Sequence, residues 1–200
     1  MNLLFTLLAG ISLSFGSNYQ VGDVLMQSDK FEGSAVAIKT LTLSKYNHVG
    51  IVVERGNKLY VAEALATVRY TPVDVYINRG KAYRHLRPKT ELTAVEKNNI
   101  NKAINKYRGK KYDPFLSWSD DRMYCSELVA KVYEDAGVNI VNVKRRILSH
   151  GLMMAALPIL KSGLVNVPNL YKEGINDISV RDVSITPADI NRSLKLKEVN

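Results

Sequence analysis

The chain has 200 residues, 46% of them hydrophobic and 24% charged, a balance that excludes intrinsic disorder and suits one globular domain with its own core. Its 28 Lys and Arg against 19 Asp and Glu leave a net charge of +9, but the basic residues are spread out and lack interleaved aromatics. Specific nucleic-acid binding therefore has little support; solvated surface charge comes first, and attraction to anionic cell-envelope material second.

In chain order, Met1 to Phe15 carry no charge, and the apolar run Leu3 to Leu13 is too short to span a bilayer comfortably. Small residues follow at Ser14, Gly16 and Ser17, so residues 1–16 read as a cleaved signal peptide despite an n-region without Lys or Arg. An uncleaved anchor or a buried first helix is the alternative. The reading gives an exported protein, periplasmic or extracellular, whose domain spans 17–200 with no membrane span after cleavage.

Val21 to Gln27 reads as a short strand, followed by a polar stretch and a weaker apolar segment from Ala35 to Leu43. Asn47 to Glu54 is a buried strand by length and β-branching, and Lys58 to Leu65 is its partner across the turn Arg55-Gly56-Asn57-Lys58. Thr71-Pro72 resembles a helix cap with proline at the first helical position, opening a short helix towards Asn78. Lys81 to Arg87 returns as a strand. Thr93 to Glu96 forms a capping box, and Ile100, Ala103, Ile104 and Tyr107 make one apolar helix face closed by Gly109. Tyr112 to Arg122 is an irregular loop. Leu128, Val129, Val132, Tyr133 and Ala136 recur at helical spacing, so a helix starts at Cys125 and runs to Gly137. Beyond it come a helical stretch from Arg145 to Leu160 and a strand near Gly163 to Val167.

Cys125 is the only cysteine. In the first turn of a helix, unpaired backbone N–H groups and the helix dipole stabilise a negatively charged sulfur. Taken alone, such a cysteine is as readily a small buried hydrophobe. The hairpin supplies it with partners. A two-residue Gly56-Asn57 loop pairs Arg55 with Lys58, Gly50 with Glu63 and His48 with Leu65. His48, Gly50, Val52, Val61 and Glu63 then share one face, with His48 and Glu63 diagonal neighbours and open space above Gly50. A carboxylate beside an imidazole fixes its tautomer, so Cys125 as nucleophile, His48 as base and Glu63 as orienting acid form the parts of an acyl-transfer site. A one-residue slip would separate the two faces.

The other histidines read as structural. His85 lies in the basic run Tyr83-Arg84-His85-Leu86-Arg87, which points to an exposed edge, and His150 precedes Gly151 at a helix end. One cysteine and three scattered histidines give no zinc spacing, and Asp113, Asp120 and Asp121 lack a calcium loop around them. No phosphate-binding or dinucleotide motif occurs, so no cofactor and no metal is expected.

The blocks Gly22-Asp23-Val24, Asn47 to Val52, Tyr60 to Ala64 and Trp118 to Val129, with a closing Thr186-Pro187-Ala188-Asp189, are similar to those of the YiiX-like proteins. That group belongs to the circularly permuted branch of the NlpC-type, papain-fold peptidase superfamily, in which the histidine strand precedes the cysteine helix. The resemblance implies an α+β permuted papain-like fold, the cysteine helix packed on a small antiparallel sheet or barrel, with Cys125, His48 and Glu63 in the roles named above. It also implies thiol-dependent amide or ester chemistry.

The leading functional reading is an amidase or peptidase acting on small peptides, cell-wall peptides among them, through an acyl-enzyme. Helix N-terminal amides would hold the oxyanion, with Tyr124 and Gly50 as candidate substrate or oxyanion residues; the Tyr124 hydroxyl serves packing equally well. One alternative is a lipid acyl hydrolase or acyltransferase with Gly151 to Leu160 as an apolar wall. The other is a non-catalytic envelope-binding module.

Overall fold

A computed structural model describes residues 18–28, 44–113, 118–140, 146–147 and 183–199. Its frame is a six-stranded antiparallel sheet of β1 (Val24–Ser28), β2 (His48–Arg55), β3 (Lys58–Ala64), β4 (Val68–Pro72), β5 (Ala82–Pro88) and the late strand β10 (Leu196–Glu198). The spatial order is β10-β5-β1-β2-β3-β4. Helices α1 (Val73–Arg79), α2 (Ala94–Tyr107), α3 (Cys125–Asp135) and α4 (Pro187–Asn191) complete it. Two small pairs lie outside the sheet: parallel β6 (Lys111–Tyr112) with β7 (Arg122–Met123), and antiparallel β8 (Arg146–Ile147) with β9 (Val183–Ser184). Mixed helix and antiparallel strand is the α+β class expected. Among the described residues, no helix is long and apolar enough to cross a membrane.

The β2–β3 turn sets the register. Gly56 and Asn57 both have positive φ, 54° and 59°, the twist that matches a two-residue hairpin, and Arg55 pairs with Lys58 as the turn chemistry requires. Counting back through Val52↔Val61 and Ile51↔Ala62 leaves no slip.

Side-chain alternation then divides the sheet. One face carries Val24, Met26, Val49, Ile51, Val53 and Ala62 into the main core, against Ile100 and Ile104 of α2 and Leu128, Val129 and Val132 of α3. The capping box of α2 forms as read, Thr93 Oγ1 accepting from Glu96 N and Glu96 accepting from Thr93 N. The other face carries Leu25, Val52 and Val61 against Tyr76 of α1, a smaller second core. His48 and Glu63 lie on this second face, at the end of the sheet where β2 begins.

Four expectations change. Thr71 and Pro72 end β4 instead of capping a helix: Val61↔Thr71 and Ala62↔Tyr70 are cross-strand partners, and α1 starts at Val73 with no side-chain cap. The run Val68-Arg69-Tyr70-Thr71 gains more by pairing with β3 than Thr71 does by capping seven residues. His85 is not on an exposed edge, because β10 pairs with β5 on its outer side and the histidine is buried. The cysteine helix ends at Asp135, two residues early, with Gly137 at φ 77° closing the turn. Arg146 and Ile147, read as helical, are strand. Residues 1–17, 35–43, 148–160 and 163–167, which held the signal peptide, a weak apolar segment, the rest of that helical stretch and a strand, lie outside the described residues.

Candidate active site

Cys125 is the first residue of α3, and Tyr124 before it is extended at φ −100°, so the sulfur sits where the helix leaves its first N–H groups unpaired. The helix packs on β2 and β3 through its apolar face, which brings Cys125 to the start of β2. There His48, the first residue of that strand, bonds Glu63 through Nε2 and interacts with Cys125. His48 Nε2 stands 2.7 Å from Glu63 Oε2. A carboxylate only accepts, so Nε2 carries the proton it donates and Nδ1 is left for the thiol.

Glu63 has no solvent exposure and is held from several sides. Thr71 Oγ1 donates to its Oε1 at 2.5 Å, Arg79 donates to both oxygens at 2.9 and 2.6 Å, and Arg69 reaches Oε1 at 3.3 Å. Burial by itself would push the Glu63 carboxyl up; the bonds from His48 and Arg79 outweigh it and hold the group well below the usual carboxylate range. Burial would likewise lower His48, yet its bonds to Cys125 and Glu63 raise it to about 9. Both shifts favour an imidazolium beside the Glu63 carboxylate. The imidazole of His48 therefore lies in the middle, between Cys125 and the Glu63 carboxylate.

Helix α1 supports this line from behind. The Tyr76 ring lies 5.9 Å from the His48 ring, its hydroxyl donates to Leu25 O at 2.8 Å, and the Arg79 guanidinium sits 5.2 Å from the Tyr76 ring centre. This arrangement corrects the reading of Gly50. A Cβ there would meet Val61 Cγ1 at 2.4 Å, Ala62 O at 3.0 Å and Tyr76 Cε2 at 3.4 Å, so the space above Gly50 is filled. Gly50 admits Tyr76; it opens no substrate cavity.

A family model described as "Permuted papain-like amidase enzyme, YaeF/YiiX, C92 family" matches residues 18–192. The chain belongs to that family. It is 37% identical over 136 residues to the uncharacterized protein YiiX of Escherichia coli K12, a stretch covering 67% of this chain and 66% of YiiX. The crystal structure of the metalloprotein yiiX from Escherichia coli O157:H7 matches with a TM-score of 0.72 at 31% identity, covering 90% of this chain and 96% of that one.

As a member of the permuted papain-like amidase family, the chain carries its histidine strand at residues 48–55 and its cysteine helix at 125–135. Tyr124 is buried and its hydroxyl accepts a hydrogen bond from Ile185 N at 3.0 Å, while Ser126 Oγ donates to Ile185 O at 2.6 Å. Both residues flanking Cys125 thus stitch the cysteine helix to the C-terminal segment, which favours the packing reading of Tyr124. His85 forms a second buried pair, Nε2 to Asp23 Oδ2 at 2.6 Å, with Arg87 bridging both Asp23 oxygens at 2.7 Å. His150 lies outside the described residues.

The sequence marks Thr71 only as a helix cap, and it gives no sign of Arg69, Arg79 or Tyr76 at the site. Arg79 is 16 positions from Glu63 and meets it only because α1 folds back over the second face. The one available signal was Glu63 itself: a carboxylate among Val61, Ala62 and Ala64 demands cationic company.

Proposed function

We propose that this permuted papain-like amidase is a thiol-dependent hydrolase of small peptides, cell-wall peptides among them. The observation that carries the reading is the contact line Cys125–His48–Glu63, with the buried carboxylate held by Arg79 and Thr71. Cys125 gives its S–H proton to His48 Nδ1 as its sulfur attacks the scissile carbonyl carbon; the C–S bond forms and the carbonyl electron pair moves to oxygen. The N–H groups of the first turn of α3 face that oxyanion. The oxyanion collapses, the C–N bond breaks, and His48 gives its Nδ1 proton to the leaving amine. Water then attacks the thioester with His48 taking its proton, the C–S bond breaks, and the acid leaves. Glu63 keeps the Nε2 proton in place and stabilises the imidazolium throughout.

The E. coli O157:H7 relative is named a metalloprotein. At this site Glu63 already meets an imidazole, a hydroxyl and two guanidiniums, and among the described residues no group of three or more His, Cys, Asp or Glu side chains is arranged to hold a metal ion. The Cys-His-Glu residues do not fit a resident cation, and no step above uses one.

The reading extends to an exported protein whose residues 1–16 are removed, with anionic envelope material as its surroundings; N-terminal sequencing of the mature chain from fractionated cells tests this. Hydrolysis itself is tested with Cys125→Ala and His48→Ala on a peptide substrate. Each should lose about 10²–10⁴-fold or more of the rate, and full activity in either would overturn the mechanism.

A further inference from the structure

At the opposite end of the β2–β3 hairpin from His48, an open cleft of about 830 Å³ runs between the turn, β4 and α2. Seven residue steps along β2 separate it from the histidine by about 23 Å, so it is a different place from the nucleophile. Its walls hold Arg55, Arg69 and Arg108 against a single acid, Glu54. Arg55 and Arg108 both lie over the Tyr70 ring, their guanidinium carbons 4.2 and 5.7 Å from its centre. Neither has a carboxylate partner among the described residues.

Two like charges gathered on one aromatic ring repel each other, and the repulsion falls when an anion sits between them. The rest of the wall is prepared for such a group. Asn101 spends its carbonyl oxygen on Glu54 N at 2.8 Å and Asn105 spends its own on the Tyr70 hydroxyl at 3.1 Å. Both amides therefore hold their acceptors inside the protein's own bonds; Asn105 also donates to Asn101 O at 3.4 Å, and the Asn101 amide N–H groups face the guest. Tyr60, edge-on to Tyr70 at 6.5 Å, closes the floor with an aromatic surface.

We infer that this cleft binds an oxyanion group, a phosphate or a carboxylate, through the paired guanidiniums of Arg55 and Arg108 and the amide of Asn101. The site is independent of the proposed hydrolysis. Arg69 lines the same cleft and also donates to Glu63 Oε1 at 3.3 Å.

The test is calorimetric titration of the full chain with inorganic phosphate and, separately, with succinate at low ionic strength. Saturable binding of either probe, with a dissociation constant below about 10 mM, is expected; the probe that binds names the group. Arg55→Gln with Arg108→Gln should weaken it by about tenfold or more, and Arg108→Lys, which keeps the charge but loses the planar fork, by less. Cys125→Ala should bind as the parent does. Saturation by neither probe would overturn the inference. So would unchanged binding in the double variant, or an equal loss in Lys102→Gln, which removes one exposed charge elsewhere on α2 and would mark mere diffuse attraction.

Discussion

Glu63 is the residue on which the site depends. It is a buried anion whose hydrogen-bond capacity is taken up by His48, Thr71, Arg69 and Arg79. Removing its charge strands those donors, so Glu63→Gln should lower stability by about 3–5 kcal/mol in a denaturant titration. Thr71→Val removes one hydroxyl bonded to a charged partner and should cost about 1.5–3 kcal/mol. The pair also fixes a pH window. Glu63 is depressed on folding, so its contribution is present above about 4.5 and is lost as pH falls below that. His48 is raised, so its contribution is complete below 6.5 and is lost as pH rises through about 9. Stability should peak between those limits, and turnover, which needs the imidazolium to protonate the leaving amine, should fall with an alkaline limb near 9. A pH–rate profile without that limb would contradict the assignment.

Among the elements, the hairpin was the part most readable from sequence. Gly56 and Asn57 are a local signal with one steric solution, and the register they fix places His48 and Glu63 together without knowledge of any other strand. Asn57→Val puts a β-branched residue at φ 59° and should cost about 1–2 kcal/mol, measured by thermal unfolding. The first turn of α3 is equally legible, since the apolar period from Leu128 to Ala136 marks the helix that Cys125 opens. Gly50 shows where local reading stops. Its neighbours in sequence announce a gap, and only the fold-back of α1 shows that Tyr76 occupies it. Gly50→Ala should therefore destabilise by about 1–3 kcal/mol through overpacking against Val61 and the Ala62 carbonyl.

At the scale of the whole molecule, the features that escaped the sequence are those made by distant segments. His85 looks exposed in the sequence because its run is basic; it is buried because Leu196–Glu198 adds a strand beside it and Asp23, 62 positions away, hydrogen-bonds its ring. The C-terminal segment likewise reaches the cysteine helix, Ile185 bonding both Tyr124 and Ser126. Pairings over such separations leave no periodicity or turn chemistry to read. The order of strand and helix was nonetheless enough to identify the architecture, because a permuted arrangement is a property of block order and survives errors in individual elements. The role proposed for Cys125 is that of nucleophile in an acyl-transfer reaction. It is tested most directly by mixing the protein with a library of wall peptides and acyl lipids and mapping covalent adducts by mass. A peptide acyl group should form on Cys125 and fail to form in His48→Ala; cleavage of the peptides at an undiminished rate by Cys125→Ala would contradict the role proposed for Cys125.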